Sequence, residues 1–323
     1  MIQRLISAGL IGSAMLFGTA NAAEPTYRAP NKYAYHFVKI DYPEAKWTEV
    51  LGIGLSGEIG GFYADAYGVT HGFVLRRSEF TSIDYPGAVY TDVRSINPAG
   101  DILGNYALAG DNKTLPTSPG GTPVNTHGFV IQHDGTLISL AYPGHANMFA
   151  QRILPDGSVV GCFHDSDLAG SMRGFVWSQQ TWSALDGSLN GIDVPASMNN
   201  GAAARDGNPT GVIVGQYTDQ ATKKTHAYVI RGGTFKEFDY PGAAMTQAWD
   251  VSPKGVIVGD YNDVRGVQHG FLLDNGTFAP IIYPGAIATR LRGVNASGVI
   301  AGWYRDAEGV HGFVAVRLGV PLR

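Results

Sequence analysis

The stretch His311-Gly312-Phe313-Val314 is the last of six copies of one four-residue phrase that returns along the chain. The other copies begin at positions 71, 127, 173, 226 and 269; the third has Arg in place of His, the fourth reads His-Ala-Tyr-Val and the fifth ends in Leu. Successive copies lie 56, 46, 53, 43 and 42 residues apart. Repeats of this length are typical of stacked solenoid units or of propeller blades.

Each repeat reads as four short β-strands separated by turns. In the last unit, two β-rich segments flank the turn Ala296-Ser297-Gly298, and the phrase at His311 begins a third strand. The fourth strand is clearest one unit earlier, where residues 277–283 follow the hairpin signal Asn275-Gly276. The joints between units read Pro-Gly, which favours a type II turn. No segment has a helical period, and the uneven unit length argues against a parallel β-helix.

The two ends of the chain complement each other. Residues 35–43 match the fourth strand at 235–241, whereas the chain ends just after the third strand that begins at His311. We therefore predict one all-β domain over residues 24–323, a six-bladed β-propeller of four-stranded blades that the N-terminal strand closes by completing the last blade. A diverged unit within residues 184–209 would change this count by one.

Residues 1–23 have the pattern of a signal peptide. Arg4 precedes an apolar run over residues 5–17, and Ala20-Asn21-Ala22 is a cleavage pattern. We predict a bacterial protein that is secreted or periplasmic, with an uncleaved anchor as the alternative. No second apolar run follows, so no membrane span is expected after cleavage.

Composition excludes some partners. The net charge of −4 and the pI near 6.1 provide no basic field, so we expect no nucleic-acid partner. The single cysteine, Cys162, cannot form an intramolecular disulfide, and its Val-Val-Gly-Cys-Phe context predicts a small buried strand residue. Stability must therefore come from core burial and from closure of the architecture, and we expect a monomer.

The repeats resemble a known family. The His-Gly/Ala-Phe/Tyr phrase, with Gly-x-Tyr-x-Asp before it and Asp-Tyr-Pro-Gly-Ala after it, resembles the extracellular HAF-repeat proteins of bacteria over nearly all of residues 24–323. His226-Ala227-Tyr228 is the copy most similar to the family name. The resemblance implies export and a repetitive β fold, and it brings no established reaction and no catalytic residue.

A histidine and an aspartate recur at the hairpin between the second and third strands. The Tyr-x-Asp pairs end at Asp65, Asp219, Asp263 and Asp306, a few residues before the histidines of their phrases. We predict that each carboxylate accepts a hydrogen bond from its imidazole and stabilises the hairpin. A ring of metal ligands is the alternative, but the second unit has Leu108 and the third Arg173 at these positions.

The third repeat departs most from the pattern. His145 stands where other repeats have Ala, and His164 and Asp165 follow the second strand, with Asp167 close behind. These residues are candidates for a divalent metal site, or for a catalytic base with its partner. Solvated loop residues are the alternative. A Pro- and Gly-rich insertion over residues 109–126 is a second departure, either a rim of a site or a loop without a role.

Polar residues collect on the predicted innermost strands. Arginines that point into a propeller channel suit a carboxylate, a sulfate or a sugar acid. Pairing with Asp92, Asp206 or Asp250 is the alternative. Trp249 and Trp303 could stack on sugars or pack between blades. The ligand-binding candidates are Arg94, Gln151, Arg152, Gln247, Arg290 and Arg292, with Arg205 in the same group.

Two classes of function remain open. The first is a secreted recognition or scaffold module that binds an extracellular polysaccharide, protein or small molecule on one loop face. The second is a secreted hydrolase or lyase that acts on an anionic sugar or lactone, with His145 and His164 as acid and base or as metal ligands. No Gly-x-Ser-x-Gly, His-Glu-x-x-His or paired-cysteine motif supports an enzyme.

Overall fold

The computed structural model describes residues 26–28, 34–109, 125–145, 147–164, 173–185, 202–219 and 221–318. Among these residues, 25 strands form five hydrogen-bonded sheets. No helix in this part of the chain is long and apolar enough to cross a membrane. The predicted signal peptide, residues 1–23, lies outside the described residues.

The strands are short and follow one another through turns. In chain order they are β1 (Thr26–Arg28), β2 (Ala34–Ile40), β3 (Trp47–Ile53), β4 (Ile59–Ala64), β5 (Thr70–Arg76), β6 (Glu79–Ile83), β7 (Ala88–Ile96), β8 (Ile102–Leu108), β9 (His127–Ile131), β10 (Leu137–Leu140), β11 (Asn147–Ile153), β12 (Val159–His164), β13 (Arg173–Ser178), β14 (Thr181–Leu185), β15 (Ala202–Gly207), β16 (Ile213–Thr218), β17 (Thr225–Arg231), β18 (Thr234–Phe238), β19 (Met245–Val251), β20 (Ile257–Asn262), β21 (Gln268–Asp274), β22 (Thr277–Ile281), β23 (Ala288–Val294), β24 (Ile300–Arg305) and β25 (Val310–Arg317).

Four-stranded antiparallel meanders are the repeating unit, as the sequence predicts. Strands β11–β14, β15–β18 and β19–β22 each form a sheet of their own. Strands β3–β6 and β7–β10 form two further meanders, but one parallel pair, Thr70 with Tyr90, joins them into a single eight-stranded sheet. The hydrogen bonds among the described residues therefore give five sheets, not six.

The last sheet combines both ends of the chain. Its order is β1-β2-β25-β24-β23, and β2 pairs antiparallel with β25 from Tyr35 opposite Arg317 to Ile40 opposite Gly312. Phe37 of β2 is fully buried and its ring packs edge-on against Phe313 at 5.4 Å between centroids. The pairing between the two ends that the sequence predicts is present, and β1 adds a further strand outside it.

The recurring phrase is explained by what each of its residues contacts. Its Phe is fully buried and covers a glycine in the second strand of the same sheet, as Phe73 covers Gly61. Its Gly leaves room for a first strand of the next sheet unit, as Gly72 does for Val93. The same contact joins the last sheet to the first, because Gly312 faces Val50. The phrase thus packs a sheet internally and against its neighbour.

The Tyr-Pro-Gly joints connect successive units by stacking. The tyrosine of each joint lies flat on an aromatic ring in the second strand of the next unit, as Tyr85 does on Tyr106 at 3.5 Å between centroids. The joint is a type II turn, since Ala88 N–H donates to Tyr85 O and Gly87 has a φ of 77°. The equivalent stacked pairs are Tyr42–Tyr63, Tyr142–Phe163, Tyr240–Tyr261 and Tyr283–Tyr304.

Three of the repeated histidines have a nearer carboxylate than the predicted one, whereas His269 Nε2 lies 3.5 Å from its predicted partner, Asp263. His71 Nδ1 donates to Asp84 Oδ1 at 2.8 Å, whereas its Nε2 lies 3.6 Å from the predicted partner, Asp65. The nearer aspartate belongs to Asp-Tyr-Pro and reaches the imidazole across the third and fourth strands. His226 with Asp239 and His311 with Asp41 repeat the contact, both at 2.9 Å. The last of these pairs joins the two ends of the chain.

The lowered pKa of the hairpin aspartate Asp263 predicts that the fold loses stability in acid. The Val267 N–H donates to Asp263 at 2.9 Å and lowers the pKa of that carboxyl below 3.8. A lowered folded-state pKa stabilises the fold above pH 3.8, and this stabilisation is lost as the pH falls through the folded-state value. We expect wild type to be more stable than Asp263→Asn at pH 5, and we expect the difference to shrink as the pH falls below 3.8 and to vanish below the folded-state pKa, measured by urea unfolding. A difference that persists unchanged in acid would contradict this assignment.

Candidate functional site

A β-bulge near the end of every first strand leaves one residue without a partner on the second strand. In β11, for example, the register shifts between Ala150 and Arg152, so Gln151 has no partner on β12. A bulge of this kind re-aims the extra residue and sharpens the local twist. The residues at the six bulges are Leu51, Arg94, Gln151, Arg205, Trp249 and Arg292.

The six first strands meet around one space. A cavity of about 60 Å³ is lined by Ile53, Ile96, Ile153, Gly207, Val251 and Val294, one residue from each of β3, β7, β11, β15, β19 and β23. Arg152, Asp206 and Asp250 also line it. We use the name axial cluster for these three residues together with the first-strand polar and aromatic side chains that hydrogen bonds and cation–π contacts join to one another. The further members are Arg94, Gln151, Arg205, Gln247, Trp249, Arg290 and Arg292, which do not line the cavity.

Arg152 joins four first strands at one end of the axial cluster. Its Nε donates to Asp206 Oδ1 at 3.0 Å and its Nη2 donates to Asp250 Oδ2. Each aspartate also accepts a backbone N–H from the following first strand, Asp206 from Val251 at 2.9 Å and Asp250 from Val294 at 3.0 Å. Burial raises the pKa of Asp250 well above its usual range, and Arg152 opposes that rise. This group is a buried structural connection.

Arg94 is also paired. Its Nε donates to Asp92 Oδ2 at 2.9 Å, and its Nη1 donates to Gln151 Oε1 at 3.2 Å. Asp92 further accepts from Tyr90 at 2.8 Å and from Asn105. The charge of Arg94 is therefore neutralised within its own sheet.

Three arginines surround Trp249. The guanidinium of Arg292 lies 3.6 Å from the ring centroid, that of Arg205 lies 4.2 Å away, and that of Arg290 lies 5.4 Å away. Arg290 is paired, since its Nε donates to Asp260 at 3.2 Å and its Nη2 to Gln247 at 3.2 Å. Burial lowers the pKa of Arg205 to about 10.

Arg292 differs from the other arginines. Its side chain is only 8% exposed, and no described residue accepts a hydrogen bond from its Nε or Nη1. Burial, followed by the nearby charge of Arg290, lowers the pKa of Arg292 well below its usual range. A buried donor without an acceptor is costly, and it is the kind of group that a bound ligand satisfies.

Of the predicted ligand-binding residues, Arg152 lines the cavity, and the others belong to the axial cluster without lining it. Arg94 and Arg152 follow the alternative prediction, because each pairs with aspartate. Stacking of a sugar on Trp249 is disfavoured, because guanidinium groups occupy the space over its ring. Trp303 lies beneath Arg290 at 5.4 Å.

The predicted metal or catalytic group is described only in part. The His145 ring packs on Phe163, with 4.6 Å between centroids, and lies 5.4 Å from Tyr142. The side chain of His164, all of Asp165 and Asp167, and residues 110–124 of the insertion lie outside the described residues.

Two other groups in the described part of the chain have donor atoms close enough for a metal: His226, Glu237 and Asp239, and Asp306, Glu308 and His311. Both are exposed hairpin clusters that contain a repeated histidine. In the first, Lys224 Nζ already donates to Asp239 at 2.7 Å. The pairing of histidine with aspartate explains these clusters without an ion.

Sequence reasoning missed one second-strand residue of the site, Asp260. Asp260 is fully buried and accepts from Trp249 Nε1, Arg290 Nε and Gln268 Nε2. Trp303, which the sequence suggested as an aromatic contact, is buried with its Nε1 unpaired among the described residues. A comparison of the repeats at this position of the second strand would have found Asp260; it reads Phe62, Asn105, Cys162, Gln216, Asp260 and Trp303.

Comparisons with known proteins bear on the fold. No protein-family model and no curated relative matches the chain. Among solved structures, AofleA from Arthrobotrys oligospora is 12% identical, with 88% of this chain and 87% of that chain covered and a TM-score of 0.57. The β-propeller domain of the Trilobed protease from Pyrococcus furiosus is 12% identical, with 92% and 93% covered and a TM-score of 0.50.

The chain has a β-propeller fold. The SapL1 lectin, solved in complex with alpha methyl fucoside, is 13% identical over 85% of this chain and 96% of its own, with a TM-score of 0.51. At these identities the likeness concerns the fold alone. Whether a propeller of this kind binds a ligand depends on its own side chains.

Proposed function

We propose that this protein is an exported six-bladed propeller that binds an extracellular saccharide in its central channel, as a recognition module. The count of six treats the eight-stranded sheet as two blades. Support for this count comes from the two halves, since each has its own His-Gly-Phe phrase, its own first-strand bulge and its own Tyr-Pro-Gly joint. In the proposed ring, the β2–β25 pairing closes the sixth blade.

The observation that carries the proposal is the axial cluster, above all the three guanidinium groups around Trp249. A structural core gains little from buried charge and is usually as stable with apolar residues of similar size. Arg152 and Arg94 have structural partners, but Arg292 has two nitrogens that no described residue satisfies. Buried donors that the fold leaves without an acceptor, beside polar groups that are paired, are typical of a ligand site.

A saccharide is the ligand class that we favour over a protein. Most of the axial cluster is buried and the central cavity holds only about 60 Å³, so a large protein surface would not reach it, whereas a small polar substituent of a sugar could. The SapL1 lectin is a propeller in complex with a sugar, which supports the same class of ligand for this chain. The signal-peptide pattern over residues 1–23 supports export to a place where polysaccharides occur.

The proposal predicts saccharide binding that depends on Trp249. Protein recovered after export, with an intact mass that lacks residues 1–23, is screened on a glycan array, and hits are titrated by calorimetry. We expect Trp249→Phe to weaken binding by about tenfold or more, because the support for Arg205 and Arg292 is lost.

Trp182→Phe is the matched control. Trp182 lies in β14, away from the first strands, and it packs on Phe175. This variant should bind within about twofold of wild type. Failure to bind any saccharide, or equal binding by wild type and Trp249→Phe, would contradict the proposal.

A further inference from the structure

The axial cluster has an excess of hydrogen-bond donors at Arg292. Its Nε and Nη1 are buried and have no acceptor in the described part of the chain. Trp303, in the neighbouring strand β24, adds an unpaired buried Nε1 donor. Since arginine has only donors, whatever satisfies these groups must bring acceptor atoms.

Three acids lie near Arg292, and two of them, Asp260 and Asp250, are already engaged with other donors; the third, Glu49, is buried and its charge acts on Arg292. Asp260 accepts from Trp249, Arg290 and Gln268. Asp250 accepts from Arg152 and the Val294 N–H.

Charge leads to the same conclusion. The charges of Asp260 and Glu49 favour the protonated form of Arg292, but burial and the charge of Arg290 outweigh them and lower its pKa. A positive charge that its surroundings do not compensate attracts an anion.

The guanidinium of Arg292 is also held in place by an aromatic contact. It lies 3.6 Å from the centroid of Trp249, and the guanidinium of Arg205 approaches the same ring at 4.2 Å. A donor group that is fixed before binding loses little entropy when the ligand arrives.

We propose that Arg292 binds a singly charged oxyanion, the carboxylate of a uronic acid or the sulfate ester of a sulfated sugar, so that the saccharide recognised in the channel is acidic. This inference rests on the proposed function, because saccharide recognition supplies the molecule to which the anionic group is attached. Asp92 pairs with Arg94, Asp206 and Asp250 pair with Arg152, and Asp260 pairs with Arg290. Arg292 pairs with none of these carboxylates, so a ligand with one negative charge matches its guanidinium.

The test titrates glucuronate, glucose 6-sulfate and glucose into wild type and Arg292→Met at constant ionic strength. We expect wild type to bind at least one of the two acidic sugars about tenfold more tightly than glucose, and Arg292→Met to lose this preference. The acid that binds identifies the source of the anion. Arg305→Met is the matched control, since Arg305 lies exposed in β24, and it should keep the preference.

A stability measurement separates ligand binding from a structural role. Removal of an uncompensated buried charge relieves a cost, so Arg292→Met should unfold at the same temperature as wild type or at a higher one without ligand. A lower unfolding temperature would mean that Arg292 has a structural partner, and it would overturn the proposal. Because the measurement uses the unliganded protein, a variant that fails to fold would overturn the proposal in the same way.

The remaining outcomes separate the two proposals. If glucose binds as tightly as both acidic sugars, the anion site is wrong and saccharide recognition stands. If acetate or sulfate ions raise the unfolding temperature of wild type but not of Arg292→Met, while no saccharide binds, the anion site stands and the proposed function is wrong.

Discussion

Replacing Arg152 by alanine is expected to lower the free energy of unfolding by about 3–5 kcal/mol. The guanidinium faces two carboxylates, Asp206 and Asp250, which are only 3% and 4% exposed. Without it, the two acids share a buried space with no cation in contact. Unfolding in urea, followed by circular dichroism at neutral pH, measures the loss.

Acid and a surface variant provide the controls for this experiment. The deficit of Arg152→Ala should shrink as the pH is lowered, because a protonated carboxyl tolerates burial better than a charged one. Arg231→Ala, at the exposed end of β17, should stay within about 0.5 kcal/mol of wild type. A deficit for Arg152→Ala below about 1 kcal/mol would show that the group does not hold the first strands together.

A methyl group at Gly259 is expected to destabilise the propeller by at least about 3 kcal/mol or to prevent folding. The added Cβ would lie 2.0 Å from the Gln247 carbonyl oxygen and 2.7 Å from the Phe271 ring. The first contact is with backbone, which a side-chain rotation cannot relieve. The thermal unfolding temperature of Gly259→Ala measures the effect.

Two further variants test whether the contact with the backbone carbonyl causes the loss of stability in Gly259→Ala. Gly207→Ala should be tolerated, because the nearest atom to its Cβ would be Leu154 Cδ2 at 3.4 Å. Phe271→Leu should not rescue Gly259→Ala, since the carbonyl contact remains. Wild-type stability for Gly259→Ala would refute this account of the repeated second-strand glycines, which are Gly61, Gly104, Gly161, Gly259 and Gly302.

Local signals explain why much of the fold is predictable from sequence. The Asn275-Gly276 hairpin and the Tyr85-Pro86-Gly87 joint are determined by the backbone preferences of a few adjacent residues, and both occur as predicted. Other contacts are set by pairing between strands. The partner of His71 is Asp84, which reaches it across β5 and β6, whereas Asp65, nearer in sequence, lies farther away.

The bulges explain what the sequence could not reveal about the site. Arg152 lines the central cavity, whereas Arg94 is not among the residues that line it. Arg94 occupies a bulge and Arg152 follows one, so the two side chains leave their strands at different positions. Both meet aspartates, but Arg94 pairs with Asp92 of its own strand and Arg152 pairs with Asp206 and Asp250 of other first strands.

The pairing of β2 with β25 has a consequence for biosynthesis. Asp41 and His311 are 270 residues apart in sequence, so bringing these two segments together has an entropic cost that contributes to the barrier to folding. While the chain emerges from the ribosome, the edge of β2 that pairs with β25 must stay unpaired until almost all of the polypeptide has been made. Such a chain completes its tertiary structure late, a property that would suit the export that we propose, because a translocon passes extended chains.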